Sequence, residues 1–179
     1  MPTLLRVLRA RRYLRKRHGP ARLQSRPSGT AFTANWWMLK ILKEVSSDMR
    51  STIERAGAQI HFSALPLVFM DKVHLSQLFQ SLIGNAIKYR SKDVPRVHIS
   101  ALAYGEMSRF FVEDKGIGIE PEYAEQVFGL SKRLHTNDEY EGTGIGLAIC
   151  QKIVHRYGGR IWLEPKPGYC SAFYFTVPA

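Results

Sequence analysis

The sequence predicts an α/β sandwich, a mixed sheet covered by helices on one face. Three observations carry that prediction. Two long segments repeat apolar residues at three- and four-residue steps, short strand-like segments are interleaved with them, and one such segment folds back as a hairpin.

The organised part is expected to begin near Trp36. Met38, Ile41, Leu42, Val45, Met49, Ile53 and Ala56 form one apolar stripe on a helix, which Gly57 ends. Ala58 to Phe62 and Leu65 to Phe69 read as short strands around a turn. Asp71 is a plausible N-cap for a helix with Val73, Leu78, Phe79, Leu82, Ile83, Ala86 and Ile87 on its apolar side, ending near Tyr89. Val97 to Tyr104 and Arg109 to Val112 read as a hairpin turned at Gly105 and Glu106. Pro121 suits the first turn of a short helix reaching about Phe128. Residues 129–142 have no period and many polar side chains, so a loop is expected there. Gly144 to Tyr157 reads as a helix, with Leu147, Ala148, Cys150, Ile153 and Val154 inward. Arg160 to Glu164 and Ser171 to Val177 close the sheet.

The net charge of +11 on 179 residues resembles a nucleic-acid signature until it is located. Residues 1–30 hold nine Lys or Arg and no acid, and the rest of the chain is nearly neutral. The reading is therefore a basic, disordered arm over residues 1–35 and one domain over 36–179. The arm is also composed like an organellar transit peptide, and it could touch nucleic acid or anionic lipid. Nucleic acid is not the expected partner, and membrane contact is expected only indirectly. No apolar run reaches membrane-spanning length, and a cytoplasmic location is expected. The cysteines, Cys150 and Cys170, have neither CxxC nor zinc spacing; Cys150 reads as a small core residue.

Three stretches carry the chemistry. GTGIGLAIC, from Gly142 to Cys150, opens a helix with alternate glycines. Backbone N–H groups at a helix start lack intrahelical partners, and the dipole is positive there. Glycines let that backbone approach a phosphate. The spacing fits neither the dinucleotide fingerprint nor a P-loop. In DKGIGI, Asp114 closes a strand and could accept a hydrogen bond from an exocyclic amine such as that of adenine. An ordinary Asp-Gly turn would read the same way. In QLFQSLIGNAIKYR, residues 77–90, the Asn85, Lys88 and Tyr89 side chains lie within about one helical turn. An amide oxygen can ligate Mg²⁺ and an ammonium can meet a phosphate.

Together, in this order, these stretches resemble the ATP-binding domain of sensor histidine kinases, within the gyrase, heat-shock chaperone, kinase and mismatch-repair ATPase superfamily. QLFQSLIGNAIKYR looks like the N box, DKGIGI the first glycine box and GTGIGLAIC the second. The lid-like RLHTNDEY segment resembles the phytochrome-like branch. The resemblance covers roughly residues 38–179. It implies the Bergerat fold, a two-layer sandwich with a mixed sheet of about five strands on three main helices. It implies ATP and Mg²⁺ as ligands, with Asn85 holding the metal and Lys88 and Tyr89 on the phosphate and ribose side. Asp114 would bind the adenine amine, with Gly116, Gly118 and Ile119 shaping the pocket. Residues 129–142 would be the ATP lid, carrying Arg133 and His135. Gly142, Thr143, Gly144, Ile145, Gly146 and Leu147 would cradle the phosphates, and Ser171 would lie near the adenine.

Four positions depart from the family pattern. Ser81 replaces the usual Asn, which is Glu in hydrolytic relatives, and cannot act as a base. Lys115 replaces an Asn, Ser131 a Phe and Cys170 a glycine. None of His18, His61, His74, His98, His135 or His155 precedes an acid, so no phospho-acceptor signature is present. The expectation is a histidine-kinase catalytic domain that phosphorylates a histidine on another chain. Its expected partners are the acceptor-histidine hairpin of a sensor kinase and, downstream, a response regulator. The alternatives are a nucleotide-binding pseudokinase or an anti-sigma-type serine kinase. The basic start is expected to reflect a truncated, mis-started or frame-shifted gene. No homodimer is established.

Overall fold

The computed structural model describes residues 32–63, 65–129, 144–166 and 170–179. Helix α1 (Phe32–Asp48) and helix α2 (Arg50–Ala56) are followed by strand β1 (Gln59–Phe62) and helix α3 (Lys72–Lys88). Strands β2 (Arg96–Tyr104) and β3 (Met107–Asp114) form the hairpin. Helix α4 (Gly146–Arg156) precedes β4 (Ile161–Lys166) and β5 (Cys170–Pro178).

The five strands make one sheet in the order β1-β2-β3-β5-β4. β1 and β2 are parallel because α3 crosses between them, and every other pair is antiparallel. Strand alternation then decides the layers. Val97, Ile99, Phe110, Val112, Phe173, Phe175 and Val177 join the buried cluster that includes Leu78, Phe79, Leu82 and Ile83 of α3. Phe79 meets Phe110 and Phe175 edge-on at 6.1 and 5.9 Å, while Phe110 and Phe175 stack at 4.8 Å. Each such pair contributes about 0.5–1.5 kcal/mol beyond the burial of its area. Phe111, Tyr174 and Trp162 occupy the opposite face and are only half-buried. The result is the expected two-layer sandwich.

Asp71 caps α3 as the sequence predicts: its carboxylate accepts the Val73 N–H at 2.8 Å. Four expectations on secondary structure need correction. Leu65 to Phe69 is not a strand. Pro66 has no N–H to give a ladder, and Leu65, Val68 and Met70 are apolar because they pack into the core. The first helix reaches back to Phe32 and is interrupted at Met49, although the apolar stripe runs through the break. Residues 121–128 form two short 3₁₀ turns rather than one helix. Helix α4 starts at Gly146, two residues later than predicted, because Gly144 takes a φ of 69°.

Candidate functional site

Asp114 ends β3 directly opposite Ser171 of β5. Both are buried, Asp114 at 7% and Ser171 at 4% exposure. No ion pair to Asp114 occurs among the described residues. Its Oδ1 accepts the Gly116 N–H at 2.8 Å. Burial pushes the carboxyl from 3.8 up to about 6, while the backbone N–H groups of Gly116 and Ser171 act in the opposite direction. A carboxylate held by N–H donors alone retains acceptor capacity for another donor.

The residues after Asp114 turn onto the end of α3. Gly116 bridges Arg90, and the Ile117 N–H donates to the Tyr89 carbonyl at 3.0 Å. A Cβ at Gly116 would lie 2.6 Å from the Tyr89 oxygen and 2.7 Å from Asp114 Oδ1. Only glycine fits that approach. Gly118 then takes a φ of 76°, and Ile119 packs on the core edge. The last turn of α3 carries Asn85, Lys88 and Tyr89, all half-buried. Lys88 Nζ donates to the Tyr89 hydroxyl at 2.9 Å and lies 4.6 Å from the Tyr89 ring centroid. A cation supported by a phenol rather than a carboxylate keeps its charge available to an anion.

The other glycine turn approaches α3 two helical turns earlier. α4 begins at Gly146 with no side-chain cap, so its first N–H groups are not closed off by a capping oxygen. A Cβ at Gly146 would lie 2.6 Å from Ser81 Oγ. Leu147 and Ile149 pack against the core, and Ile145 is 38% exposed. Cys150 is fully buried, with Sγ 3.9 Å from the Leu78 carbonyl. Burial pushes its thiol up to about 11, against a hydrogen bond from Ser81. It is a core residue and not a nucleophile.

Helix α3 therefore joins two corners. Tyr89 and Arg90 meet Gly116 and Ile117, while Ser81 meets Gly146. These contacts are separated by roughly 12 Å along the helix axis. Lys115 takes no part in this meeting: its side chain is exposed, and its backbone bonds Arg96 and Ser91. Arg133, His135, Gly142 and Thr143 lie outside the described residues, as does Ser131. Sequence reasoning missed two features. Arg90 makes the bridge through its backbone, which no side-chain pattern signals. Ser81 was noted only as a departure, yet it supports the start of α4.

Residues 70–179 match the family model described as histidine kinase-, DNA gyrase B-, and HSP90-like ATPase, and the chain belongs to that family. It is 46% identical over 139 residues to Cyanobacterial phytochrome A of Nostoc, covering 78% of this chain and 18% of that protein. It is 42% identical over 139 residues to Phytochrome-like protein Cph1 of Synechocystis, covering 78% of this chain and 19% of that protein. The chain thus spans under a fifth of the length of these curated relatives. The solved catalytic domain of histidine kinase ThkA is 26% identical at a TM-score of 0.65, covering 78% of this chain and 90% of that one. ThkA has also been solved in complex with response regulator protein TrrA. Fold and relatives together make this chain a catalytic domain of the protein histidine kinase type. No helix among the described residues is long and apolar enough to cross a membrane.

Proposed function

We propose that the chain binds ATP·Mg²⁺ and transfers the γ-phosphoryl group to a histidine on another polypeptide. The observation that carries this reading is the convergence of Tyr89 and Arg90 on Gly116 and Ile117, beside a buried carboxylate with no cationic partner among the described residues.

The donor set fits a purine triphosphate. Asp114 accepts the adenine amine, and Ser171 closes the same end of the pocket. Gly116 and Gly118 let the chain pass close to the base. Lys88 neutralises phosphate charge, and the uncapped N–H groups after Gly144 add donors along the phosphates. No group of three or more His, Cys, Asp or Glu among the described residues could hold a metal. Asn85, whose amide oxygen suits a hard cation, would hold the Mg²⁺, and that ion would supply charge neutralisation. In transfer, the acceptor imidazole nitrogen bonds to the γ-phosphorus as the bridging P–O bond to the β-phosphate breaks, leaving ADP. Ser81 has no basic group to activate water, which favours transfer over hydrolysis.

An acceptor-histidine hairpin is the partner this chemistry requires, and the ThkA–TrrA complex supports a response regulator downstream. ATP affinity, measured with and without Mg²⁺, tests the reading in the wild type, Asn85→Ala and Asp114→Ala. Mg²⁺ should tighten binding in the wild type and lose most of that effect in Asn85→Ala. Indifference of all three proteins to Mg²⁺ and to both substitutions would remove the basis for it. The short hydroxyl of Ser81, where the family usually has an Asn, favours one second reading, a nucleotide-holding pseudokinase. Firm ATP binding without transfer to an isolated acceptor hairpin would decide for it.

A further inference from the structure

The open face of the sheet, opposite the helices, carries cations without a counter-charge. Arg109 of β3 faces Thr176 of β5, and the Arg160 N–H donates to Thr176 Oγ1 at 3.0 Å. The two arginines therefore stand in one row, on either side of Thr176. Each guanidinium carbon lies 5.7 Å from the Trp162 ring centroid, and that of Arg109 lies 3.9 Å from the Tyr104 centroid. Neither arginine pairs with a carboxylate among the described residues. The acids of this face are engaged elsewhere: Glu164 accepts the Trp162 indole N–H at 3.3 Å, and Glu113 stands 3.6 Å from His98 Nδ1. Arg109 Nε is also the one buried side-chain nitrogen or oxygen without a hydrogen-bond partner among the described residues. Ring faces support a guanidinium, but its N–H groups point outward in the plane and still need acceptors. Aromatic contact thus accounts for the position of each arginine and not for the missing acceptor.

We infer that this part of the sheet face docks an acidic peptide segment of a partner protein, with a carboxylate on Arg109 and Arg160 and an apolar neighbour on Leu102 and Tyr104. A carboxylate is the acceptor that two guanidinium groups around one indole lack. Leu102 pairs with Arg109 in register, and Tyr104 follows it on the same face. At 64% and 56% exposure, these two side chains offer apolar area directly beside the charge. The rings argue against a nucleic acid in the same place. Trp162 and Tyr174 stack on each other at 5.3 Å and 12°, and Arg109 lies over Tyr104. Faces on which bases would stack are thus already occupied, whereas a carboxylate needs only the edge of a guanidinium. Arg109 lies five residues before Asp114 on β3, roughly 17 Å away along the strand. The face is therefore separate from the candidate nucleotide site.

The probes are three synthetic peptides with the same Leu-flanked centre, carrying Glu, Gln or Lys there, and a single-stranded oligothymidylate. Amide chemical shifts of Leu102, Arg109 and Trp162 locate and quantify binding. The Glu peptide should shift these residues, and the Gln peptide should bind about fivefold more weakly. Arg160→Glu should weaken the Glu peptide by roughly three- to tenfold, as expected for partly exposed charges, and should make the Lys peptide the better ligand. Arg109→Met should weaken the Glu peptide by roughly tenfold or more, yet leave the denaturation midpoint unchanged or higher, because it removes the N–H that lacks an acceptor. An arginine kept only for packing would lower the midpoint and leave peptide affinity as it was. ATP affinity should be the same in wild type and both variants. No shifts with the Glu peptide, equal binding of the Glu and Gln peptides, or indifference to Arg160→Glu overturns the docking assignment. Oligothymidylate binding tighter than the Glu peptide at these residues also overturns it, in favour of a nucleic-acid surface.

Discussion

The two glycine corners on α3 are built from different obstacles. At Gly116 the space a side chain would need is filled by the Tyr89 backbone oxygen and by Asp114 Oδ1, which is tied to the Gly116 N–H. Neither atom can move without breaking the junction. At Gly146 the obstacle is Ser81 Oγ, with Ser81 Cβ already at 3.9 Å. A hydroxyl can be rotated or deleted. The Gly116 corner is thus fixed by main chain and sheet register, and the Gly146 corner by one replaceable side chain. Two glycine turns packed on one helix can therefore differ, one strict and the other adjustable.

The largest expected effect is at the strict corner. Gly116→Ala should cost roughly 2–4 kcal/mol of stability, because the methyl group must displace a backbone carbonyl or a buried carboxylate. Chemical denaturation gives the value, and a cost of about 1 kcal/mol or less would show the corner to be as adjustable as the other. Next is Asp114→Ala, which should weaken ATP binding about 10- to 100-fold through loss of a charge-assisted hydrogen bond. Titration calorimetry reads it, with UTP, whose base has a carbonyl and no exocyclic amine, as a control whose weak binding should barely change.

The acidity of Asp114 supplies a prediction with a definite sign. Its folded value, about 6, lies above the ordinary 3.8, so the folded chain binds more protons between those values. Its contribution to stability therefore falls as pH rises from 3.8 through about 6. In the proposed function the ionised form would accept the adenine amine, so affinity should move the opposite way. The wild-type ATP affinity, divided by that of Asp114→Asn, should drop about tenfold from neutral pH to pH 5. The ratio cancels titration of the phosphates, and a flat ratio would dissociate the carboxylate from recognition.

The smallest effect sharpens the comparison most. Gly146→Ala should cost about 1 kcal/mol, and adding Ser81→Ala should recover most of it. A double-mutant cycle checks this. Independent, additive costs would mean that Ser81 is not what confines Gly146.

Much of this arrangement was legible in the sequence. Asp71 and the apolar spacing placed α3, since a capping carboxylate and a helical stripe are both local signals. Gly105 placed the hairpin in the same way, and the glycines before α4 signalled a close approach, read as one to a phosphate and not to Ser81. What Gly116 approaches was not legible, because Tyr89 contributes a carbonyl that every residue has. The parallel pairing of β1 with β2 depends on a crossover, not on composition. Leu65 to Phe69 was misread because a core-packed extended segment and a strand share the same apolar pattern. The break at Met49 leaves the apolar stripe intact, so periodicity passes over it.

The central claim is that both corners serve a single nucleotide. Amide chemical shifts during titration with Mg²⁺ and a non-hydrolysable ATP analogue test it most directly. The account predicts that Gly116, Gly118 and Ser171 shift together with Gly146 and Leu147, along one binding curve. Shifts confined to one corner, or two curves with different midpoints, would contradict it.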